Sequence, residues 1–340
     1  NDYIRTKMEK KNKKIKILVT GCVGFIGFHV CHFLTSKGFD VIGIDNVNSY
    51  YDIKLKKDRL KILNQKKNFS FYKGDILNNP KLKKIFMKEN FEYVLHLAAQ
   101  AGVRFSIYNP KVYFKSNIEG FFNMINLSLE KKIKHFIFAS SSSVYGDQKK
   151  FPLKESFNTD KPKSFYAATK KSNEIIAYSY SSIYGMKNTA LRFFTLYGSF
   201  GRPDMAIFKF TDSISKNKKI QLFNNGNHLR DFTHIDTFLF LIEKLILKPS
   251  KKKTPFNIFN IGNGKSEKLM KFINLIEKNL KKKSKIIKKP LQRGDVLKTH
   301  SNINEIIKYL LLKNKPISKD IRQGIKEYVN WYKSYYLKIK

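Results

Sequence analysis

The chain reads as an α/β protein built on a doubly wound parallel sheet, and three observations carry that reading. Apolar runs with strand character recur at 15–19, 41–44, 69–72, 93–97, 135–139 and 189–193, each separated from the next by a stretch with helical character. The runs are continuously apolar rather than alternating, as strands covered on both faces by helices should be. After the first run comes Gly21-Cys-Val-Gly-Phe-Ile-Gly27, a glycine-spaced turn where such sheets bind anions.

The first strand feeds that turn, and each glycine has its own reason: Gly21 for the tight bend, Gly24 so that backbone can approach a pyrophosphate, Gly27 for close helix–strand packing. The helix opening there, with Phe25 and Ile26 in its first turn, aims its leading N–H groups at the anion. This spacing alone occurs in many strand–helix turns. The second strand strengthens it, because the run 39–44 ends in Asp45, 18 residues after Gly27, where the ribose-binding acid of a dinucleotide fold belongs. A carboxylate there accepts from a ribose 2′-hydroxyl and repels a 2′-phosphate, so the expected cofactor is NAD rather than NADP.

The fifth run ends in Ala139-Ser-Ser-Ser-Ser-Val-Tyr-Gly146, which puts hydroxyls at the carboxyl edge of the sheet, where ligands of open α/β folds sit. In the next helical stretch Tyr166 and Lys170 lie four apart and share one face. A tyrosine titrates at about 10, and a neighbouring ammonium together with a cationic nicotinamide ring would lower that value toward the working pH. Tyr-x-x-x-Lys also occurs at Tyr3, Tyr50, Tyr145, Tyr309 and Tyr336, so spacing by itself selects nothing. The company of Ser141, 25 residues upstream, and of Ser143 singles out Tyr166 as a base acting on a sugar hydroxyl.

After Phe194 the rhythm shifts to short segments punctuated by Gly198, Gly201-Arg-Pro203, Asn225-Gly226, Gly262-Asn-Gly264 and Arg293-Gly-Asp295. The expected organisation is a basic tail over 1–14, a dinucleotide-binding domain over 15–194, and a smaller substrate-binding part over 195–340 interleaved with the last sheet elements. A length of 340 residues suits two substructures.

Composition excludes several functions. The net charge of +41 suggests nucleic acid, but only eight of the 67 basic residues are Arg and the lysines are scattered, so specific nucleic-acid recognition is not expected. The Lys-rich runs 248–253 and 278–289 read as solvated surface. No 18-residue apolar run exists, so no membrane span is expected, and the basic start leads into a glycine-broken strand rather than a secretory segment. Two cysteines without disulfide or zinc spacing point to a reducing cytoplasm. His29 and His32 beside Cys31 read as a solvated helix face, with no metal expected, and 331–336 as an aromatic C-terminal helix packed on the body.

The chain resembles the extended short-chain dehydrogenase/reductase family, Rossmann-like enzymes, and within it the UDP-glucuronate 4-epimerases. The resemblance runs from Thr20 to about Asp236 with an echo to Asp295. It is carried by the glycine turn, Asp45-Asn-Val-Asn-Ser-Tyr-Tyr-Asp52, Gly74-Asp-Ile76, His96-Leu-Ala-Ala-Gln-Ala-Gly-Val-Arg104, the serine run, Tyr166-Ala-Ala-Thr-Lys170, Leu191-Arg-Phe-Phe-Thr-Leu-Tyr-Gly198, Gly201-Arg-Pro-Asp-Met205 and Arg230-Asp-Phe-Thr233. It implies that Gly21, Gly24, Phe25, Ile26 and Gly27 seat the pyrophosphate, that Asp45 and Asn46 meet the adenosine ribose, and that Asp75 and Ile76 border the adenine. Leu97, Ala98 and Ala99 would line the nicotinamide side, with Tyr166 as base and Lys170 as its partner. Thr195 and Arg202, with Ser143 and Arg104 as further candidates, would hold a sugar carboxylate; Arg230 would meet the diphosphate and Asp295 lie in a nucleotide-closing loop.

The implied reaction is oxidation at sugar carbon 4 by tightly held NAD, turning of the 4-keto ring, and hydride return to its other face. Ser142 and Ser143 stand where related dehydratases carry Asp and Glu and related decarboxylases carry Glu, which favours epimerisation. A homodimer through helices around 112–131 and 164–185 is also implied. The alternatives are a 4-epimerase of a neutral UDP-hexose and, more remotely, a non-catalytic relative that binds RNA. The chain departs from the family pattern at Cys22, at His234 and Thr237, and at Arg293.

Overall fold

The computed structural model describes residues 15–292, 295–313 and 319–338. The expected tail 1–14 and Arg293 with Gly294 of the last expected loop lie outside them. The six apolar runs become β1 (Lys16–Thr20), β2 (Asp40–Asp45), β3 (Phe69–Lys73), β4 (Tyr93–His96), β5 (His135–Ser141) and β6 (Asn188–Phe193). Six short strands and one sheet strand follow: β7 (Thr195–Tyr197), β8 (Lys219–Phe223), β9 (Leu229–Arg230), β10 (Phe232–His234), β11 (Phe256–Ile261), β12 (Glu267–Lys268) and β13 (Lys285–Lys289).

The main sheet has seven strands in the order β11-β6-β5-β4-β1-β2-β3, and every neighbouring pair is parallel. The chain starts in the middle, winds out through β2 and β3, then restarts on the other side of β1 with β4. Connections therefore diverge between β1 and β4, and a crevice opens at their carboxyl ends. The seventh strand, β11, is one that the reading of the sequence did not isolate.

Both faces are covered. On one, Phe28 and Leu34 of the helix Phe25–Ser36 pack with Phe238, Leu241 and Leu245 of the helix Ile235–Leu245. On the other, Leu82, Phe121, Met124 and Ala177 from three helices meet Phe136 and Phe138 of β5. A separate cluster of Phe210, Phe232, Phe272, Ile276 and Tyr328 builds the smaller part, with Phe232 and Phe272 stacked at 4.0 Å. The expected C-terminal aromatic helix is there: Ile321–Tyr332 packs on this cluster, and Trp331 lies 5.2 Å from the Phe200 ring.

The helix Phe165–Tyr184 has clear signals at both ends. Ser164 accepts from the Ala167 amide at 3.1 Å, and Gly185 terminates it at φ 64°. Tyr166 and Lys170 thus stand in its first two turns, over the ends of the central strands. Among the described residues no helix is long and apolar enough to cross a membrane.

Candidate active site

The glycine turn is shaped by contact rather than by side chains. Gly21 sits at φ +70° with its amide on the Ile44 carbonyl at 2.8 Å, and a Cβ there would lie 2.8 Å from the Ala98 nitrogen. A Cβ on Gly27 would collide with the Gly21 carbonyl oxygen. Gly24 precedes the helix Phe25–Ser36 and no side chain caps it, which leaves the leading N–H groups for a ligand.

Asp45 ends β2 beside this turn, its carboxylate accepting from Val23 N at 3.1 Å and Val47 N at 2.8 Å. Burial raises its pKa, opposed by those two amides. Asn46 donates to Asp75 at 2.8 Å, tying the β2 loop to the β3 loop. Lys56 also lines this end: its ammonium donates to the Asn48 backbone oxygen and side-chain oxygen, both at 2.7 Å, and lies 4.3 Å from the Tyr51 ring centroid. Burial lowers its pKa to about 8.

At the centre, Leu97, Ala98 and Ala99 run on from β4, and Ala98 N donates to Thr20 Oγ1 at 3.1 Å. Facing them, Ser141 Oγ donates to Ser143 Oγ and accepts from Ser143 N, both at 3.1 Å. The Tyr166 phenol stands near the Ser141 hydroxyl, and Lys170 Nζ donates to the Ala139 carbonyl at 2.8 Å. Burial pushes Tyr166 up, Ser141 and Arg202 draw it down by less, and burial lowers Lys170 to about 8. Desolvation, which the sequence could not weigh, outruns these two opposing groups.

Two buried networks pin this centre. Glu174, one turn beyond Lys170, accepts from Arg192 Nε and Nη2 at 2.8 Å each and from Ser140 Oγ at 2.6 Å. Both charges are almost wholly buried, so the pair fixes the helix against β5 and β6. Asn117, in the π-helical turn Phe114–Glu119, accepts from Gln100 N at 2.8 Å and donates to Thr169 at 3.0 Å.

A second cavity continues from the first, and the two share Tyr50, Gly102, Val103, Thr195, Arg202 and Met205. Arg104, Arg230 and Asp295 line the second; Arg104 pairs with Asp295 at 3.1 Å and lies 4.8 Å from the Phe223 ring centroid. Burial lowers the Arg230 pKa, with Asp295 opposing. Arg202 is held side-on by Asp204, Nε to Oδ1 at 2.9 Å and Nη2 to Oδ2 at 2.7 Å. Desolvation works against its charge, but Asp204 outweighs it and the guanidinium is raised above its ordinary value.

Every residue that the sequence assigned to the cofactor, the substrate or the chemistry lines one of these adjoining cavities. Lys56, Glu174, Arg192 and Asp204 were missed. Glu174 continues the four-residue spacing of Tyr166 and Lys170, and Asp204 stands inside the Arg-Pro-Asp-Met block, so both had a signal. Lys56, one lysine among dozens, had none. His29 corrects another expectation: it is not on a solvated face but bonds the Ser199 carbonyl at 2.7 Å, and burial lowers it to about 4. His234 caps the helix Ile235–Leu245, accepting from Asp236 N at 3.3 Å, so that departure keeps a local function. Cys22 lies against Gly43, where a Cβ would come within 2.7 Å of its sulfur.

A doubly wound sheet with an uncapped glycine turn, an acid ending β2 and a Tyr-Lys pair beside serines at the β5 edge defines a dinucleotide-dependent enzyme of the reductase type. Residues 17–262 match the NAD dependent epimerase/dehydratase family, and the chain belongs to it. It is 43% identical over 338 residues to protein CapI of Staphylococcus aureus, covering 95% of this chain and 100% of that one. It is 44% identical over 340 residues to UDP-glucuronate 4-epimerase 4 of Arabidopsis thaliana, covering 96% of this chain and 77% of the plant protein. The structure of UDP-glucuronic acid 4-epimerase from Bacillus cereus, in complex with UDP-glucuronic acid and NAD, superposes with a TM-score of 0.87 at 29% identity, covering 95% and 100% of the two chains.

Proposed function

We propose that the protein is an NAD-dependent 4-epimerase that interconverts UDP-glucuronate and UDP-galacturonate. The observation that carries this reading is the convergence of Ser141, Tyr166 and Arg202 on one cavity, with Arg202 at the stretch where it joins the second. The glycine turn, its free N–H groups and Asp45 suit a dinucleotide with an unmodified ribose, and NAD, when bound there, accepts and returns the hydride of sugar carbon 4. Tyr166 takes the proton of the 4-hydroxyl while Ser141 keeps that oxygen in place. Lys170 supplies the positive charge that favours phenolate once a cofactor excludes water. Ser142, Ser143, Thr195 and Arg202 hold the sugar carboxylate, while Arg104, Arg230 and Asp295 surround the nucleotide diphosphate. The work divides between a cofactor-binding portion, 15–194, and a substrate-binding portion, 195–340, that returns β11 to the sheet.

Exposed apolar side chains on the helix Phe165–Tyr184, with Ile175, Tyr178 and Ile183 each more than half exposed, support pairing with a second copy. Two buried free thiols support a cytoplasmic setting. The test is incubation with UDP-glucuronate and, separately, UDP-glucose without added NAD, followed by separation of the products. UDP-galacturonate from the first and nothing from the second is the expected result; reaction of UDP-glucose alone overturns the uronate assignment.

A further inference from the structure

Arg202 is not free in the cavity; Asp204 already grips it. A guanidinium has five N–H donors, and a side-on carboxylate uses one from Nε and one from Nη2. The pairing with Asp204 is of that kind, at 2.9 and 2.7 Å, which leaves both Nη1 donors and the second Nη2 donor as an end-on fork. Asp204 keeps its charge: burial works to protonate it, but Arg202 more than offsets this and holds the carboxyl below its ordinary value.

Asp204 is anchored in turn from the cofactor side. The Tyr50 hydroxyl donates to Asp204 Oδ2 at 3.4 Å, and Tyr50 lines both cavities from the loop after β2. Gly102 leaves it room, since a Cβ there would lie 2.9 Å from that hydroxyl. The series Tyr50, Asp204, Arg202 therefore links the dinucleotide loop to the place where the cavities join.

We infer that Asp204, braced by Tyr50, is a positioning residue that presents the end-on edge of Arg202 to the sugar carboxylate and so suppresses its loss as carbon dioxide. The inference rests on the uronate reading above. A 4-keto uronate is a β-keto acid. When its carboxylate turns out of the sugar plane, the C5–C6 bond can break, its electron pair passing to the C4 carbonyl as an enolate, carbon dioxide departing and C5 taking a proton from water. A bidentate fork of fixed orientation opposes that rotation; a guanidinium free to swing does not.

The experiment compares wild-type, Asp204→Asn, Asp204→Glu and Tyr50→Phe proteins, each purified with its NAD, on UDP-glucuronate, following epimer and carbon dioxide separately. Asp204→Asn is expected to raise KM about tenfold and to release carbon dioxide, either with a UDP-pentose, the hydride having returned to C4, or with a UDP-4-keto-pentose that leaves the coenzyme as NADH, at unchanged total coenzyme content. Asp204→Glu restores most of the epimer-to-carbon-dioxide ratio, and Tyr50→Phe shifts it in the same direction as Asn but less. An Asp204→Asn enzyme with wild-type KM and no carbon dioxide overturns this inference alone. Wild-type protein that acts on UDP-glucose and not on UDP-glucuronate overturns the uronate reading and takes this inference with it.

Discussion

The two ends of the joined cavities are built by different means. The glycine-turn end is made of backbone: Gly21 and Gly27 bring chain against chain, and Arg59, fully buried beneath, donates to the Val23 carbonyl at 2.8 Å and the Tyr51 hydroxyl at 2.7 Å. The sugar-nucleotide end is made of charge: Arg104, Arg202, Arg230 and Asp295 come from four separate segments and are held by ion pairs and carbonyls. The first end tolerates no added atom; the second turns on which charges meet. Cofactor retention and substrate choice should therefore fail independently.

The largest effect is expected between the ends, where both meet. Tyr166→Phe should lower turnover by roughly 10²–10⁴-fold, the usual weight of a general base, with NAD content and substrate binding kept, as read by steady-state kinetics beside coenzyme released on heating. Ordinary activity in that variant would break the assignment of the base. Arg202→Ala sharpens the contrast from the charged end. Loss of charge-assisted hydrogen bonds of about 1.5–3 kcal/mol should raise KM for UDP-glucuronate roughly 10–100-fold with NAD content unchanged.

Gly27→Ala attacks the backbone end. Overpacking costs roughly 1–3 kcal/mol, so the thermal midpoint should fall and NAD should be lost on gel filtration, while the charges of the other end stay in place. An alanine variant that keeps its NAD would show that the turn is looser than its contacts imply. The smallest effect belongs to Lys170. Burial holds its pKa at about 8, below the ordinary 10.5, so between those values the unfolded chain binds the proton that the folded chain has shed. Stability from this site should rise with pH there. In ligand-free protein the thermal midpoint of wild type should gain on that of Lys170→Met by about 2 °C from pH 8 to 10.

The same contrast governs what could be read from the chain. Elements made by local rules were legible: six sheet strands as apolar runs, the glycine turn by spacing, and the helical stretch that carries Tyr166 and Lys170. What escaped depends on distant partners. Arg192 is a lone charge in an apolar run, and its function is defined by Glu174 on another element. Lys56 reaches the cavity only because Asn48 and Tyr51 fold around it. The burial that raises Tyr166 is a tertiary property and was not legible, whereas its Lys170 neighbour, four residues on, was. β11 was missed because its run, Phe256–Ile261, lies among glycine-marked loops and pairs with β6, whose strand ends more than sixty residues earlier.

That late strand sets a limit on how the protein can be divided. The segment Phe256–Ile261 runs along the whole of β6, from Asn188 to Phe193, and shields its outer edge. A fragment ending near residue 194 would expose a row of unpaired amides and carbonyls flanked by apolar side chains, an invitation to self-association. Exchanging substrate halves between relatives therefore requires the donor to bring its own edge strand, and a graft that omits it should precipitate rather than acquire a new specificity.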